Sequence, residues 1–275
     1  MDIRLIAMDL DHTALQPDRK TFSPRLNAAL SAAHRKGVAV LPITGRQFFI
    51  LPPAVRRDAE WAGLVVLSNG GEVRRLTDGA LLSGHYLEPD ALYALVGAAG
   101  ELDLPIELSS GDGLYLTPAS WESQRRTGGP LRFHLDDVLA RFGHETADLR
   151  AFLAGLPTVD KINLPYVPDE LRAAAERALN ALPVSWFWSG PQAVEIAHRD
   201  ASKAGGLLEV CRLLDIDPAH AIALGDSGND IPMLQAAGLG VAMGNAPPQV
   251  QAAADAVSAP FDQDGAALAI ERYVL

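Results

Sequence analysis

Asp9 and Asp11 stand two residues apart in Asp9-Leu10-Asp11-His12-Thr13, directly after the apolar run Ile3 to Met8, which only Arg4 interrupts. In an extended segment alternate side chains share a face, so the two carboxylates point the same way. Carboxylates held together repel, share a proton or share a cation. The plainer reading is a surface turn, where Asp is common, and this stretch alone does not choose between them. Further along stand Thr44 in Thr44-Gly45-Arg46, Lys203 in Ala201-Ser202-Lys203, and Asp226 with Asp230 in Gly225-Asp226-Ser227-Gly228-Asn229-Asp230. Together these supply three or four carboxylates, one hydroxyl and one ammonium, with no Cys or His. Such a set suits a hard, oxygen-preferring cation, Mg²⁺ above all. Lys and Thr beside a metal suit a phosphoryl group, whose charge is spread over its non-bridging oxygens. A carboxylate in that company can also serve as a nucleophile, giving an aspartyl-phosphate.

The elements needed to bring these groups together are legible as a parallel rhythm. The run Ile3 to Met8 reads as a strand. Ser23-Pro24 is a helix start, with Ser as N-cap and Pro at the first helical position. Leu26, Leu30 and Ala33 give that helix an apolar stripe, and Gly37 ends it. Val38 to Ile43 and Leu64 to Leu67 are continuous apolar runs, read as buried parallel strands. Glu72 to about Ser83 reads as a hairpin turning at Thr77-Asp78-Gly79. The rhythm then changes: a helix over Pro89 to Leu102, short strands near Pro105 to Leu108 and Gly113 to Leu116, and a polar stretch from Trp121 to Gly129. A strand over Thr158 to Leu164, a helix over Asp169 to Leu182 and an alternating strand from Val184 to Ser189 follow. The parallel pattern returns with a helix beginning at Ala201-Ser202-Lys203 and carrying Leu207, Val210, Cys211 and Leu214 on one face. Strands follow over Ala221 to Leu224 and Leu239 to Met243. The sequence therefore predicts an α/β protein: a Rossmann-like parallel-sheet core from 1–85 and 189–275, with an α+β cap inserted at 86–188. The polar clusters fall just past strand ends or at a helix start, where an open parallel sheet places its ligand crevice.

With 275 residues, the chain has room for one large domain or a domain carrying an insert. A net charge of −11 and basic runs no longer than Arg56-Arg57, Arg74-Arg75 or Arg125-Arg126 argue against a nucleic-acid partner. The single cysteine, Cys211, excludes an intramolecular disulfide and a cysteine metal centre. No apolar run is long enough to cross a membrane. Asp2, Arg4, Asp9 and Asp11 break up the opening segment where a secretory signal needs apolar continuity. The expectation is a cytoplasmic protein with no membrane partner, monomeric by default.

Asp9-Leu10-Asp11-x-Thr13, Thr44-Gly45-Arg46, Lys203 and Gly225-Asp226-Ser227-x-Asn229-Asp230 resemble the four motifs of the haloacid dehalogenase superfamily. The insertion between Thr44 and Lys203 resembles that of its Cof-type phosphatases, and Asn69-Gly70, Gly244-Asn245-Ala246 and Asp264-Gly265 match further positions of that subfamily. The resemblance covers the core; the cap matches in location and size only. It implies a Mg²⁺-dependent phosphatase acting on a small phosphorylated metabolite such as a sugar phosphate. Asp9 would attack phosphorus. Asp11 would act as general acid and then base, which calls for a pKa near the working pH. Thr44, Gly45 and Lys203 would hold phosphoryl oxygens. The metal would rest on the Asp9 carboxylate, the Asp11 backbone carbonyl and Asp226, supported by Asn229 and Asp230. A phosphotransferase or mutase of the same superfamily, or a non-catalytic phospho-sensor, are the competing functions.

His12 stands where the family usually has Gly. It either reaches toward the substrate and its leaving group or is a tolerated loop residue. Arg46 is read as a substrate contact or a salt bridge. Trp186 and Trp188 are packing residues or a sugar platform. Arg125, Arg126, Arg132 and Lys161 are surface charges or readers of an anionic substrate.

Overall fold

The computed structural model of the protein describes residues 2–127, 132, 134–155 and 157–275. Its strands, in chain order, are β1 (Leu5–Met8), β2 (Ala39–Pro42), β3 (Leu64–Leu67), β4 (Glu72–Arg75), β5 (Leu81–Gly84), β6 (Glu107–Ser110) and β7 (Gly113–Leu116). They continue as β8 (Gly143–Glu145), β9 (Lys161–Leu164), β10 (Val184–Trp188), β11 (Val194–His198), β12 (Ala221–Gly225), β13 (Leu239–Ala242) and β14 (Ala256–Val257). The chain divides into two compact units, Met1–Gly84 with Ser202–Leu275, and His85–Ala201.

The first unit is built on a five-stranded sheet in the order β14-β13-β12-β1-β2, parallel throughout. Both faces are covered. Ile6, Met8, Ile222, Leu224 and Val241 enter one apolar cluster, while Leu5, Ala7, Leu41, Ala221, Ala223 and Ala242 enter another. That two-sided burial is why the strands read as unbroken apolar runs. The helix Pro24–Arg35 starts as its sequence dictates, with Leu26 N donating to Ser23 Oγ at 3.0 Å. It buries Leu26, Ala29, Leu30 and Ala33. The third apolar run departs from the expected parallel strand. β3 pairs antiparallel with β4, and β4 with β5, in a three-stranded sheet. Its parallel link to β2 is confined to the isolated bridges Val40↔Ala62 and Ile43↔Val66. The tight turn at 68–71 folds β4 back directly against β3, which gives β3 an antiparallel partner next to it in the chain.

The second unit holds a six-stranded sheet, β10-β11-β9-β6-β7-β8. Leu108, Ile162, Leu164, Val194 and Ile196 pack on one face against Leu92, Leu95, Leu149, Leu153 and Leu179 from three helices. Trp186 and Trp188 join this packed face; their indole nitrogens donate to Asn180 Oδ1 at 3.2 Å and Glu176 Oε1 at 3.0 Å. The alternate residues Glu107, Ser109, Lys161, Asn163 and Glu195 occupy the opposite face, as their cross-strand register requires. The unit runs on to Ala201, past Trp188 where the sequence pattern ends the insert, because β11 pairs with β10 and β9. Trp121 lies in the helix Pro118–Thr127; the Gly128-Gly129 end of the polar stretch lies outside the described residues.

Candidate active site

Hydrogen bonding of β1 to β12 continues one residue past the strand: Asp9 N donates to Leu224 O at 3.0 Å. That pins the Asp9 backbone beside the end of β12, and the Asp9 residue is 5% exposed. Lys203 is the first residue of the helix Lys203–Leu214, whose N-cap Ser202 accepts from Gly205 N at 2.9 Å. The lysine is 2% exposed, and its Nζ lies 2.8 Å from Asp9 Oδ1 and 2.7 Å from Asp230 Oδ1. Asp230 reaches Lys203 because β12 ends in glycine; a Cβ at Gly225 would come within 2.5 Å of Asp230 Cβ. The other carboxylate oxygen of Asp230 accepts from Asp226 N at 3.0 Å, Ser227 N at 2.9 Å and Ser227 Oγ at 3.1 Å. Asp230 is thus a brace that shapes the loop carrying Asp226.

Asp226 Oδ1 accepts from Thr13 Oγ1 at 3.1 Å, and its Oδ2 faces Asn245 Nδ2 at 3.4 Å. The same amide donates to His12 O at 3.0 Å, tying the Asp11-His12 turn to the loop after β13. Asn229 joins the end of β12 to the Asn69 turn, with Nδ2 3.0 Å from Asn69 Oδ1. Thr44 is 1% exposed; its backbone nitrogen donates to Val66 O at 2.9 Å, and its hydroxyl accepts from Arg46 N at 3.1 Å across Gly45. The structure therefore brings Asp9, Lys203, Asp226 and Asp230 into one cluster.

Asp9, Asp226 and Asp230 place carboxylate oxygens within 4.8 Å of one another. Against these three acids stands one ammonium. Burial, joined by the charges of Asp230 and Asp226, pushes Asp9 well above the usual carboxylate range despite Lys203. Burial and the Asp230 charge raise Asp226 to about 6, against the Thr13 hydrogen bond. Burial opposes the charge on Lys203, but Asp230 and Asp9 outweigh it and hold the ammonium above its ordinary range. The excess negative charge, made wholly of oxygen donors, fits a hard divalent cation. Asp230 is bound most tightly, by Lys203 on one oxygen and the Asp226–Ser227 loop on the other, whereas Asp226 has one close donor, Thr13, and a second at 3.4 Å.

Asp11 behaves differently from the sequence expectation. Arg46 grips it with two hydrogen bonds, Nε to Oδ2 at 2.7 Å and Nη2 to Oδ1 at 2.6 Å. Burial would raise this acid, but the guanidinium outweighs it, and Asp11 is held below its ordinary value. In this arrangement Asp11 is ionised and has no proton to give. His12 adopts φ 57°, the left-handed region that glycine enters without the steric penalty of a side chain. Its ring meets Phe261 edge-on at 5.2 Å, and burial together with Arg19 lowers its pKa. Lys161 is buried against Glu195 at 3.1 Å, and Arg125 lies over Trp121. Thr13 and Asn245 belong to the motif positions the sequence singles out, but the sequence assigns them no role. Thr13 stands two residues beyond Asp11, and Asn245 sits just past β13; position at a strand end was the signal.

The chain matches the family model described as haloacid dehalogenase-like hydrolase over residues 6–270. YxeH of Bacillus subtilis (strain 168) is 30% identical over 291 residues, covering 99% of this chain and 98% of that protein. The same organism's 5-amino-6-(5-phospho-D-ribitylamino)uracil phosphatase YcsE is 27% identical, covering 100% and 97%. A solved haloacid dehalogenase-like hydrolase from B. subtilis superposes with a TM-score of 0.85 at 25% identity, covering 98% of this chain and 100% of that one.

Proposed function

The chain belongs to the haloacid dehalogenase-like hydrolases, a phosphatase by its relatives, and on that footing we propose that it hydrolyses a small phosphorylated metabolite with Mg²⁺ through an aspartyl-phosphate on Asp9. One observation carries the reading: the buried Asp9 carboxylate lies 2.8 Å from Lys203 and beside Asp226 in a cluster with more negative than positive charge. An Asp9 oxygen attacks phosphorus as the bond from phosphorus to the leaving oxygen breaks. Asp11 gives that oxygen a proton. Water then attacks phosphorus and loses a proton to Asp11, and the phosphorus–Asp9 bond breaks to release inorganic phosphate. Lys203, Thr44 and the Gly45 turn bind the non-bridging oxygens. When bound, Mg²⁺ offsets charge on the phosphoryl group and the carboxylates; Asp9, the Asp11 carbonyl and Asp226 would hold it, with Asn229 and Asp230 in support.

For its acid role Asp11 must leave Arg46, and we read the incoming anionic substrate as the competitor for that guanidinium. Arg46→Gln is then expected to move the alkaline limb of the kcat/KM profile, set by protonated Asp11, to higher pH; an unmoved limb would refute the release step. A phosphorylated sugar-type compound is the substrate class, in line with the name of the YcsE relative. The test is phosphate release from a panel of phosphomonoesters with Mg²⁺ and with EDTA. Turnover only with the metal is expected. No release from any ester, or full activity in EDTA, would overturn the reading.

A further inference from the structure

The inserted unit carries a second group of donors, which the phosphatase chemistry does not use. His85, His198 and Asp200 each offer a ligand atom, and these atoms lie within 4.8 Å of one another. All three belong to the unit His85–Ala201 and stand at its two chain ends. The sheet brings those ends together. Leu87 N donates to Val159 O at 2.9 Å, just ahead of β9, and β9 pairs with β11, where Lys161 faces Ala197. His85 therefore arrives beside His198, and the two rings stack with centroids 5.5 Å apart and planes 17° from parallel.

The tautomer of His198 is set by its neighbour. Asp200 N donates to His198 Nδ1 at 3.2 Å, a role that only an unprotonated nitrogen can accept. Asp200 Oδ2 lies 3.7 Å from the same nitrogen, beyond hydrogen-bond range, and its side chain is 66% exposed. It is free to rotate toward a shared ion.

We infer that His85, His198 and Asp200 form a binding site for a divalent transition-metal ion, Zn²⁺ above all, joining the two ends of the inserted unit. Two imidazoles and a carboxylate are a zinc-type donor set that leaves one position for water. Mg²⁺ prefers an all-oxygen shell, so it does not compete here as it would at Asp9 and Asp226. Zinc bonds of about 2.0–2.2 Å require the donors to close from their present spacing, and the exposed Asp200 supplies much of that movement. An ion here also links residues far apart in sequence, which restricts the unfolded chain and favours the folded unit.

The test is isothermal titration of ZnCl₂ into tag-free, EDTA-stripped, full-length protein in millimolar MgCl₂. Wild type is compared with Asp226→Asn, His85→Ala and His198→Gln. Wild type and Asp226→Asn are expected to share a zinc site that weakens about tenfold or more in both histidine variants. Co²⁺ in place of Zn²⁺ is expected to give visible absorption that the histidine variants lose. Melting curves of the metal-free proteins identify any variant that fails to fold; His85→Ala, outside the β11 ladder, carries the test if His198→Gln does so. No zinc binding by wild type, a site untouched by His85→Ala, or a site lost only in Asp226→Asn overturns the proposal.

Discussion

The inserted unit and the parallel-sheet core both bury carboxylates, and the two solve the charge problem in opposite ways. In the inserted unit Glu107 is 0% exposed and surrounded by donors: Gln124 Nε2 at 2.7 Å, His134 Nε2 at 2.9 and 3.0 Å, and Asn163 Nδ2 at 3.2 Å. Burial alone would raise Glu107, yet His134 and the amides hold it below its ordinary value. Burial alone would lower His134, yet Glu107 holds it above. Acid and base each favour the charged form, so this carboxylate is compensated from within the protein. In the core, Asp9 and Asp226 are both pushed upward, with Lys203 the only ammonium in the cluster. A buried group displaced against its ordinary titration marks a place where a ligand completes the charge. Burial of charge is common to the two regions; among these clusters of described residues, the imbalance is in the core.

That contrast can be broken at its strongest point first. Asp9→Asn is expected to keep its fold, measured by circular dichroism, and to lose turnover by about 10⁵-fold or more, as removal of a catalytic nucleophile does. Glu107→Ala does the reverse: it leaves His134 buried without its acid, and thermal or urea denaturation should register a loss of about 3–5 kcal/mol. Should Glu107→Ala instead keep its stability and abolish turnover, the polar face of the inserted unit is no mere structural network.

Two pH experiments sharpen the comparison with smaller effects. Asp226 titrates near 6 without metal, so protons compete with Mg²⁺ below that value. Mg²⁺ affinity measured by calorimetry should weaken by up to about tenfold per pH unit as pH falls below 6. An affinity constant from pH 5 to 7 would remove Asp226 from the metal site. In the inserted unit the signs are opposite for the two partners. His134 is raised above 6.5, so its contribution is complete below 6.5 and lost as pH climbs through the folded value. Glu107 is lowered below 4.5, so its contribution is complete above 4.5 and lost as pH falls through the folded value. The melting temperature gap between wild type and His134→Gln should therefore be widest between these limits and narrow as pH rises through the folded-state value of His134.

Much of this was legible because the core is locally consistent. Ser23-Pro24 starts a helix, the apolar runs become doubly covered strands, and Asp9, Thr44 and Asp226 fall beyond strand ends. What escaped depends on distant partners. Arg46 reads as a substrate contact or a salt bridge, but nothing in the sequence names Asp11, 35 positions away, as its partner. β3 pairs antiparallel with β4 on one edge and keeps only isolated parallel bridges toward β2 on the other, a division that apolar patterning does not resolve. β11 carries Glu195 and His198 among apolar residues, and its place between β10 and β9 in the second sheet comes from register. Lys161 reads as a surface charge or an anion reader in sequence, yet it is buried beside Glu195, and Glu107 is buried among Gln124 and His134; burial of a charge is decided by such neighbours.

The central claim is that the uncompensated Asp9 carries the phosphoryl group. Rapid acid quench of the enzyme turning over a ³²P-labelled phosphomonoester with Mg²⁺, followed by peptide mapping, tests it directly. The account predicts acid-stable label on the peptide containing Asp9 and none on Asp9→Asn protein. Label on another residue, or undiminished hydrolysis by Asp9→Asn, would contradict it.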